Sequence, residues 1–478
     1  ATLTLAPNGL IVEKRSEART CGIWPLHNVP RPHAIPFYNV LDAGEENQRL
    51  IIRYAVPNRA KTACRATVVD YRLCPPNNDK PEIVCRWTAR LLARAYPPGS
   101  PPRRRYCVLI NPVSGRGDAR KSFRREVEPL LIAAHASVTV HETTHRGHAA
   151  EFAEALPLGE TDVLLCVGGD GLCHEAFNGL ARRADRPAWA LRRLTVAQIP
   201  CGSGNALAMN SFGTNSPSLA TLAAIKAVRT RLDLLAITQA GRLYFSFLSQ
   251  AVGIVAESDL GTEHLRWMGE SRFTYGIVSR LLRKTAYPAR VSYLLDTDDK
   301  AAMQAASLPP SDSDLDQDAE DLHGLPALQH GTVQDELPES FQSHDLPGLG
   351  NLYIGNMCWM APSSPFFPAA QLADGRADLL TISASLPFKH ALGMLATVPK
   401  ARHFDDPQVG YRKVHAFRVE PRSHARAPWR GRSSTKEGAI SIDGEAQPFA
   451  PFQGEVLPSV ATVLCRREGM HGVEGWRK

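Results

Sequence analysis

The apolar and polar positions of this chain change period most clearly between Val163 and Leu180, which read VLLCVGGDGLCHEAFNGL. The continuous apolar run at the start is typical of a strand that is buried on both faces of a parallel sheet. Leu172, Ala176 and Leu180 then recur at helical spacing. The pattern predicts a strand and a helix joined by a tight turn over residues 168–171.

The predicted turn contains Gly168, Gly169 and Gly171 around one carboxylate, that of Asp170. Glycine lets the backbone adopt positive φ and lets a ligand approach closely. The amides that begin the following helix lack partners within that helix and can bind phosphate. We therefore interpret Asp170 as the general base of a kinase that acts on a hydroxyl group. The alternative is that Asp170 only caps the helix.

Strand and helix patterns alternate on both sides of this stretch. Residues 106–111 (YCVLIN) predict a buried strand, and the helical pattern that follows contains Pro129, which should kink or divide it. This βαβα order favours a parallel sheet covered on both faces, with ligands at the carboxyl ends of the strands. Three glycine turns, over residues 114–117, 168–171 and 202–205, should then meet at one edge of the sheet.

The pattern changes after Arg231 to strands that should be mostly antiparallel. The runs that indicate them are LDLLAIT, LYFSFLSQAV, NLYIGN, ADLLTIS, HAFRVEP, AISIDG and EVLPSVATVLC, with a helical pattern over residues 263–282 between them. We predict a nucleotide domain over residues 103–235, a β-rich second domain over residues 236–465 and a tail over residues 466–478. The cleft between two such domains is the natural place for an active site.

Residues 1–102 form an N-terminal extension in this scheme. Residues 1–30 have little periodicity and are interpreted as a tail. The runs IPFYNVL, RLIIRYAV, ATVVDYRL and EIVCRW predict short strands between residues 34 and 92. They favour a small β-rich module, which either binds a membrane or a protein partner or only extends the next domain. Residues 96–105 (YPPGSPPRRR) are typical of a linker.

The charge of the chain is unevenly distributed. Its 55 Lys and Arg against 48 Asp and Glu give a formal net charge of +7. Residues 296–350 contain thirteen acidic residues and one lysine, and this segment is predicted to be an acidic disordered insert. The remaining basic body suits a polyanionic ligand such as ATP and an anionic membrane surface. Nucleic acid would also fit the charge, but the sequence contains no nucleic-acid-binding motif.

The cysteines and the hydropathy indicate the compartment. Ten cysteines are scattered without a CxxC pair, and Cys107 and Cys166 lie in apolar runs where a reduced thiol packs as a small hydrophobic group. The sequence shows no secretory signal pattern and no apolar run near 18 residues. These features predict a cytosolic protein without a membrane span.

His141, Glu142 and His145 spell HExxH, the signature of zinc proteases. That chemistry requires a helix that brings both imidazoles onto one metal ion. Here the motif follows the strand pattern SVTV, and a continued strand would separate the two histidines by roughly 13 Å at about 3.3 Å per residue. We therefore interpret the motif as unrelated to zinc, and the sequence identifies no other metal ligands.

Six ordered motifs make the chain resemble a sphingosine kinase, or long-chain-base kinase, of the diacylglycerol kinase superfamily. They are NPVSGRG from Asn111, TTHRGHA from Thr143, GGDGLCHEAFNG from Gly168, PCGSGNALA from Pro200, the segment over residues 256–273, and IDGE from Ile442. GSGNAL resembles the sphingosine branch in particular, since diacylglycerol kinases usually show GTGND there. The resemblance extends over residues 107–463, apart from the acidic insert.

The resemblance implies an α/β phosphofructokinase-like nucleotide domain and a C-terminal antiparallel β-sandwich that binds lipid, beside the β-rich N-terminal extension. It implies transfer of the γ-phosphoryl group of ATP, with Mg²⁺, to the primary hydroxyl of a sphingoid base. A cytoplasmic, peripherally membrane-associated enzyme is expected, and regulatory proteins are further candidate partners of the N-terminal extension or the acidic insert. The alternatives are a diacylglycerol or ceramide kinase and a catalytically silent lipid-binding scaffold.

By motif position, the resemblance assigns ATP contacts to Asn111, Pro112, Val113, Thr143, Thr144, His145, Arg146, Gly147, Glu175, Gly202, Ser203, Gly204, Arg266, Arg272, Asp443, Gly444 and Glu445. It assigns substrate contacts to Gly168, Gly169, Asp170, Gly171 and Asp259, with Asp170 as the general base and Asp259 facing the polar head of the lipid. The family often has Ser at the position of Gly168, so a side-chain hydroxyl is missing there. An acyl-chain pocket is expected within residues 245–285 and 352–367.

Three of these residues also have simpler interpretations. Without the resemblance, Arg266 and Arg272 would be assigned to a solvated helix face. Asp259 would be a helix N-cap, since Glu263 lies near the position expected of a capping box.

Overall fold

The computed structural model describes residues 2–13, 33–72, 80–262, 271–282, 285–306, 324–422 and 438–476. The N-terminal region contains two three-stranded antiparallel sheets and a helix. Its elements are β1 (Thr2–Leu5), β2 (Gly9–Glu13), β3 (His33–Pro36), β4 (Val40–Glu46), β5 (Arg49–Pro57), β6 (Cys64–Arg72) and α1 (Lys80–Ala95). The described residues therefore confirm a β-rich N-terminal extension.

Two details predicted for this region are wrong. Residues 2–13, interpreted as part of a tail, form the paired strands β1 and β2, and the EIVCRW run lies within α1. Leu91 and Ala95 of α1 are buried, and Val84 and Trp87 pack against the same core at helical spacing. A six-residue apolar run does not by itself distinguish a strand from a piece of buried helix.

Residues 105–226 form a parallel sheet with helices around it. The elements are β7 (Arg105–Ile110), α2 (Ala119–Ser122), α3 (Glu128–Ala133), β8 (Ser137–Glu142), α4 (His148–Ala155), β9 (Val163–Gly168), α5 (Asp170–Ala181), α6 (Pro187–Arg193), β10 (Thr195–Pro200), α7 (Ala206–Phe212) and α8 (Pro217–Lys226). Strands β8, β7, β9 and β10 are parallel neighbours in that order. The predicted βαβα arrangement is confirmed, and every residue of β9 is buried, as expected for an interior strand.

The helical pattern after β7 is divided, as predicted from Pro129. Residues 123–127 form a π-helical turn between α2 and α3, and Pro129 is the second residue of α3. Proline has no amide hydrogen and its ring crowds the preceding turn. The wider π-helical turn therefore lies where the proline interrupts the regular hydrogen-bonding pattern.

Residues 228–465 contribute mainly antiparallel strands and a few helices. The elements are β11 (Val228–Gln239), β12 (Arg242–Ser246), β13 (Ser249–Gly253), α9 (Ile254–Gly261), α10 (Ser271–Leu281), β14 (Ala289–Thr297), α11 (Lys300–Ala305), β15 (Gln342–Leu346), β16 (Leu349–Gly355), β17 (Ala377–Ser383), α12 (Phe388–Thr397), β18 (Val409–Pro421), β19 (Ile440–Ile442), β20 (Glu445–Gln447) and β21 (Phe452–Cys465). Strands β13, β16, β17 and β18 are successive antiparallel neighbours, which confirms the predicted character of this half.

Strand β21 joins the two halves of the molecule into one sheet. It pairs in parallel with β10 at Val196 and Val463, and it pairs antiparallel with β11 and β18. The resulting sheet has 15 strands among the described residues. The parallel and antiparallel parts predicted as two domains therefore share continuous backbone hydrogen bonding.

Alternate side chains of the antiparallel strands separate two apolar cores. Leu352 and Ile354 of β16 pack with residues of β14, β18 and β21. Tyr353, between them in sequence, packs on the other face with Ala256 of α9. Alternation with a period of two is what a strand with an apolar core on each face requires.

The prediction of a disordered acidic insert over residues 296–350 is wrong where the structure describes that segment. Residues 296–306 contain the end of β14 and all of α11, and residues 324–350 include β15. Residues 307–323 lie outside the described residues.

Residues 324–341 are held to the sheet by charged side chains. Arg418 donates to the carbonyl oxygen of Thr332 at 2.9 Å, and Glu455 accepts from the amide of Gln329 at 2.8 Å. Arg418 and Glu455 lie on β18 and β21, about a hundred residues away in sequence. A composition poor in apolar residues indicated disorder, but distant side chains satisfy this backbone.

The predicted linker and tail are packed as well. Ser100 and Arg104 of the linker are buried, and Arg104 donates to the carbonyl oxygens of Ala224 and Ala227 at 3.1 and 2.6 Å. In the tail, Trp476 is buried in the core around β16 and α9. Both segments therefore contain buried, packed side chains, whereas a flexible linker or a free tail would be exposed to solvent.

The three glycine turns meet at the carboxyl ends of β7, β9 and β10, as predicted. A Cβ atom added to Gly202 would lie 2.4 Å from Cα of Gly169, and one added to Gly115 would lie 2.4 Å from the carbonyl oxygen of Cys201. The Ser114 hydroxyl accepts from the amide of Gly169 at 2.9 Å. Backbone therefore packs directly against backbone at this edge of the sheet.

The reason for glycine in the 168–171 turn differs from the one that the sequence indicated. Gly168, Gly169 and Gly171 do not adopt positive φ, whereas Gly115 has a φ of +57°. Close approach of the turns, rather than a left-handed backbone, is therefore the constraint: it excludes a Cβ at Gly202, and a Cβ at Gly169 would lie 3.3 Å from Cα of Gly202.

The N-terminal sheets dock on α8 through polar as well as apolar contacts. Lys226, the last residue of α8, is buried, donates to the carbonyl oxygen of Val40, and places its ammonium 3.3 Å from the ring centre of Tyr96. Burial lowers the pKa of Lys226 to about 6, although the nearby Asp42 carboxylate acts in the opposite direction.

We expect Gly202→Ala to lower the free energy of unfolding by about 1–3 kcal/mol, because the added Cβ overpacks against Gly169. Urea unfolding monitored by fluorescence measures this change. Gly159→Ala is the matched control, since a Cβ there meets nothing within 4 Å. Equal stability of the two variants would show that the turns are not close-packed.

We expect Lys226→Met to remove a pH dependence of stability. Between about pH 6 and the ordinary lysine pKa, Lys226 is neutral in the folded protein and charged in the unfolded chain. The unfolded chain therefore binds one more proton, and the free energy of unfolding should rise with pH over that range. Between pH 6 and 8, wild type should gain about 1–3 kcal/mol relative to the variant. Unfolding at both pH values, with the exposed Lys400→Met as control, tests this, and parallel curves for wild type and Lys226→Met would contradict it.

Candidate active site

A cleft of about 990 Å³ lies between the glycine turns and the turn that connects β19 to β20. The residues of the predicted site that line it are Asn111, Pro112, Val113, Thr143, Thr144, His145, Arg146, Gly169, Asp170, Gly171, Glu175, Gly202, Ser203, Gly204, Asp259, Arg272, Asp443, Gly444 and Glu445. Gly147 and Gly168 do not line it, and Arg266 lies outside the described residues. Segments more than 300 positions apart in sequence thus converge on one cleft.

Asp170 is the first residue of α5 and faces the cleft from its floor. Its Oδ1 accepts from the amide of Leu207 at 3.1 Å, and its Oδ2 would lie 3.0 Å from a Cβ added to Gly204. The carboxylate therefore reaches across to the start of α7 and does not bind the free amides of its own helix. Asp170 therefore caps the start of α7 from another element, and because it also lines the cleft, this cap is compatible with the predicted role as general base.

The pKa of Asp170 is raised above its ordinary value because the protein around it removes water from the carboxylate. The negative charge of Asp443 acts in the same direction. Donors from Leu207, Ala206 and Gln198 oppose the shift by stabilising the charged form. A partly desolvated carboxylate held by directed donors is the usual environment of a general base.

Glu175, one turn after Asp170 on α5, organises the loop before α4. Its two carboxylate oxygens accept from the amides of Gly147 and Ala149 at 3.0 and 3.1 Å. Gly147 has a φ of +88° and precedes the first residue of α4. Glu175 therefore acts as a helix cap from another element, and it fixes the loop that contains Thr144 and Arg146.

Some loop amides of the glycine turns are already bound by side chains. The Gly169 amide donates to Ser114, and the Gly202 amide donates to Oδ1 of Asn205 at 2.7 Å. The prediction that these turns offer free amides to a ligand therefore does not hold at these two positions. The sequence analysis did not assign these roles to Ser114 and Asn205, although both residues lie inside the quoted motifs.

Two side chains of the predicted ATP site pair across the cleft. Arg146 lies in the loop before α4, and it donates to the carboxylate of Glu445 on β20. Glu445 also faces Gly171, since a Cβ there would lie 3.5 Å from its Oε1. The pair links the parallel half of the sheet to the antiparallel half at the mouth of the cleft.

The carboxylate of Asp443 lies in the turn between β19 and β20 and is buried. It accepts from the amides of Phe247, Leu248 and Ser249 at 3.1, 3.1 and 2.9 Å, and from the Ser246 hydroxyl at 2.5 Å. This carboxylate is surrounded by donors from the chain itself. It holds the connection between β12 and β13 against the hairpin.

Asp259 and Arg272 form an ion pair on the wall of the cleft. Arg272 is buried on α10, and its guanidinium lies 3.2 Å from Oδ1 of Asp259 on α9. Oδ2 of Asp259 accepts from the Ser441 hydroxyl at 3.2 Å. Asp259 lies in the last turn of α9 and does not cap its start, and the buried Arg272 is not part of a solvated helix face. The simpler interpretations of these two residues are therefore wrong.

An apolar pocket lies beside the cleft. It is bounded by α10, α12 and β17. Its walls include Ile254, Val255, Ile277, Phe366, Leu380, Leu386, Ala391, Met394, Leu395 and Val398. Val255, Ile277, Phe366, Leu395 and Val398 also line the cleft, so the two cavities are adjacent and share these side chains. The sequence located one side of this pocket within residues 245–285 and 352–367, but it missed α12. The apolar spacing of FKHALGMLAT was the available signal.

The HExxH motif does not form a metal site. His141 and Glu142 end strand β8, Glu142 pairs with Arg120, and His145 contacts Glu151 at 3.1 Å. The described residues contain no group of three or more His, Cys, Asp and Glu side chains that could hold a metal ion. The interpretation of this motif as a strand end is confirmed.

Known protein families and individual proteins share sequence with this chain. Residues 105–237 match the family model of the diacylglycerol kinase catalytic domain, and residues 1–97 match a domain of unknown function, DUF7493. Sphingoid long chain base kinase 4 of Schizosaccharomyces pombe is 30% identical, over 90% of this chain and 87% of the relative. Sphingosine kinase 1 of Homo sapiens is 32% identical, over 74% of this chain and 89% of the relative.

Two further similarities are partial. Sphingoid long chain base kinase 5 of Saccharomyces cerevisiae is 30% identical over 75% of this chain, and the match spans 59% of that longer relative. A crystal structure from Bacillus anthracis str. Sterne, described under a provisional diacylglycerol kinase assignment, superposes with a TM-score of 0.51 at 17% identity. It covers 76% of this chain and 97% of the bacterial chain, and it supports the fold alone. On the identities and coverage above, this chain belongs to the sphingoid long-chain-base kinase family, with a catalytic domain of the diacylglycerol kinase type.

Proposed function

We propose that this protein transfers the γ-phosphoryl group of ATP to the primary hydroxyl of a sphingoid base, such as sphingosine, and forms the 1-phosphate. The position of Asp170 is the observation that carries the proposal. Its carboxylate faces a cleft that is glycine-rich on one side and shares wall residues with an apolar pocket on the other. A kinase for a hydroxyl at the end of a long alkyl chain needs both environments beside one base.

ATP is proposed to occupy the glycine-rich side. Gly169 and Gly202 leave that wall without side chains, and α5 begins there without a side-chain cap. Arg146 is exposed and can exchange Glu445 for a phosphate group. The open glycine-rich wall and the exposed Arg146 support the remaining predicted ATP contacts that line the cleft. The ATP contact of Arg266 stays a prediction from the sequence.

Mg²⁺ is proposed to arrive with the nucleotide. Magnesium ions are usually bound by substrate phosphates and one or two carboxylates, rather than by a cage of protein ligands. The carboxylates on this side of the cleft include those of Asp170, Glu175 and Glu445. Glu175 already accepts two backbone amides, and Glu445 pairs with Arg146. The bound ion neutralises charge that develops on the phosphates during transfer.

Asp170 is proposed to accept the proton of the lipid hydroxyl. The hydroxyl oxygen forms a bond to the γ-phosphorus, the bond from that phosphorus to the bridging oxygen breaks, and ADP leaves with the electron pair. The raised pKa of Asp170 makes it a stronger base than an ordinary carboxylate, while the amide of Leu207 fixes its orientation.

Asp259 is proposed to bind the amino group of the sphingoid base. Its carboxylate lines the cleft beside Val255, which also belongs to the apolar pocket. An ammonium group can bind that carboxylate together with Arg272, or it can replace Arg272 there. A diacylglycerol has no amine, so this acid favours a sphingoid base over that alternative.

The second half of the chain is proposed to act as a lipid-binding β-sandwich that works at a membrane surface. Two apolar cores on either face of β16 support the sandwich. Tyr275 of α10 and Leu392 of α12 are 59% and 42% exposed beside the cleft, which suits contact with lipid. No helix in the described ranges is long and apolar enough to cross a bilayer. Regulatory proteins remain proposed partners of the N-terminal sheets.

We expect Asp170→Asn to lower kcat for sphingosine by about 10²–10⁴-fold while nucleotide binding persists, because the amide oxygen can still accept from Leu207 but cannot take the proton of the hydroxyl. Transfer of labelled phosphate from MgATP to sphingosine measures kcat, and calorimetry with a non-hydrolysable ATP analogue measures binding. Asp345→Asn, an exposed carboxylate that pairs with Arg422, is the control. Undiminished kcat in Asp170→Asn, or transfer to diacylglycerol without transfer to sphingosine, would contradict the proposal.

We expect Ala391→Phe to shorten the alkyl chain that the pocket accepts. Ala391 is buried in the pocket wall, so a phenyl ring there fills the space proposed for the end of the chain. The kcat/KM for an 18-carbon base should fall about ten-fold or more relative to a 10-carbon base. Lys389→Phe, on the exposed side of α12, is the control. The same chain-length ratio in both variants would mean that the alkyl chain binds elsewhere.

A further inference from the structure

His174 occupies the boundary between the two halves of the molecule. It lies on α5, one helical turn after Asp170, and its side chain is 14% exposed. Its Nδ1 lies 2.8 Å from Oδ2 of Asp443, which is the carboxylate that also binds the connection between β12 and β13. Because a carboxylate only accepts, Nδ1 is the donor in this contact.

A second contact on α5 strengthens the same connection. Asn178 donates to the carbonyl oxygen of Phe245 at 2.8 Å and accepts from the Phe245 amide at 2.9 Å. Its amide nitrogen also donates to the carbonyl oxygen of His174 at 2.9 Å and lies 3.4 Å from Nε2, to which it can donate only while the ring is neutral. Helix α5 is thus tied to β12 by Asn178 and to the hairpin turn by His174.

The turn held by His174 forms a wall of the cleft. Gly444 and Glu445 follow Asp443 directly and line the cleft, where Glu445 meets Arg146 and faces Gly171. A displacement of Asp443 would therefore move the wall opposite the glycine turns.

We propose that His174 is a positioning residue that acts through Asp443. It holds the 443–445 turn at the distance from α5 that nucleotide binding requires, and its positive charge offsets the Asp443 carboxylate beside Asp170. The proposal rests on nucleotide binding in the cleft, and its second part also rests on Asp170 as the general base.

The charges around the ring agree with this role. Burial lowers the pKa of His174. The Asp443 carboxylate and the charges of Glu445 and Glu175 raise the pKa by more than burial lowers it, so the net shift is upward. On β12, Tyr244 faces Asp443 with a phenol whose pKa is raised by burial, so it stays neutral. The other carboxylates on the packed helix α4 are paired: Glu151 contacts His145 and Glu154 contacts Arg182.

The upward shift extends the pH range in which His174 is charged. Its electrostatic contribution is complete below the ordinary histidine pKa and is lost as the pH rises through the raised value. The charge of Asp443 raises the pKa of Asp170, so a charged His174 favours the ionised, proton-accepting form of that base.

Two substitutions separate the hydrogen bond from the charge. His174→Leu removes both. In His174→Asn, the amide nitrogen takes the place of Nδ1 and can still donate to Asp443, but the residue carries no charge. His390→Leu is the control, because His390 makes an exposed contact of 2.7 Å with Asp406 outside the nucleotide side of the cleft.

The first measurement is the affinity for a non-hydrolysable ATP analogue with Mg²⁺ by calorimetry. We expect His174→Leu to bind about ten-fold more weakly, and His174→Asn to stay within about threefold of wild type. His390→Leu should bind as wild type does. Wild-type affinity in His174→Leu, or an equal loss in His174→Asn, would overturn the positioning role even if the protein phosphorylated no sphingoid base.

The second measurement is the pH profile of kcat for sphingosine phosphorylation. In His174→Asn the acid limb, which reports ionisation of Asp170, should move to higher pH by about half a unit, because the Asp443 charge is no longer offset. His390→Leu should leave the limb in place. An acid limb at the wild-type position in His174→Asn would overturn the electrostatic role. Folding of each variant is checked by its unfolding transition.

Discussion

Direct packing of backbone on backbone is the constraint on which the site depends. Gly115 and Gly202 bring the turns to distances at which a single Cβ would collide with the neighbouring chain, and a Cβ on Gly169 would lie 3.3 Å from Cα of Gly202. This contact draws the carboxyl ends of β7, β9 and β10 together, and Asp170 is the acid that remains at the junction. Protein interiors transmit such steric demands because they are close-packed. The position of Asp170 is therefore set by the absence of side chains around it.

Buried carboxylates join the two halves of the molecule around this junction. Asp443 accepts from three consecutive amides, a serine hydroxyl and His174, and it connects the last hairpin to β12, β13 and α5. Within the parallel half, Glu175 fixes the loop before α4 to α5. A buried charge is tolerated when it is fully hydrogen-bonded. The acids of the motifs thus divide between those that shape the cleft and Asp170, which faces it with raised basicity.

Strand β21 gives these contacts a rigid base. It pairs with β10 on the parallel side and with β11 and β18 on the antiparallel side, so the catalytic turns and the apolar pocket belong to one hydrogen-bonded sheet. An enzyme that transfers a phosphoryl group from a nucleotide to a lipid needs a fixed distance between the two binding sites, because transfer depends on positioning the reacting groups.

The sequence by itself determined the local elements and the ordered motifs. Periodicity identified β9, α5 and the antiparallel strands, and the spacing of three glycine turns predicted the edge where Asp170 lies, because these patterns depend on neighbours in sequence. Only the tertiary structure decided that EIVCRW is helical, that residues 324–350 are ordered, that Asp259 pairs with Arg272, and that α12 lines the pocket. Those outcomes depend on partners tens to hundreds of residues away, whose contacts outweigh composition and short-range pattern.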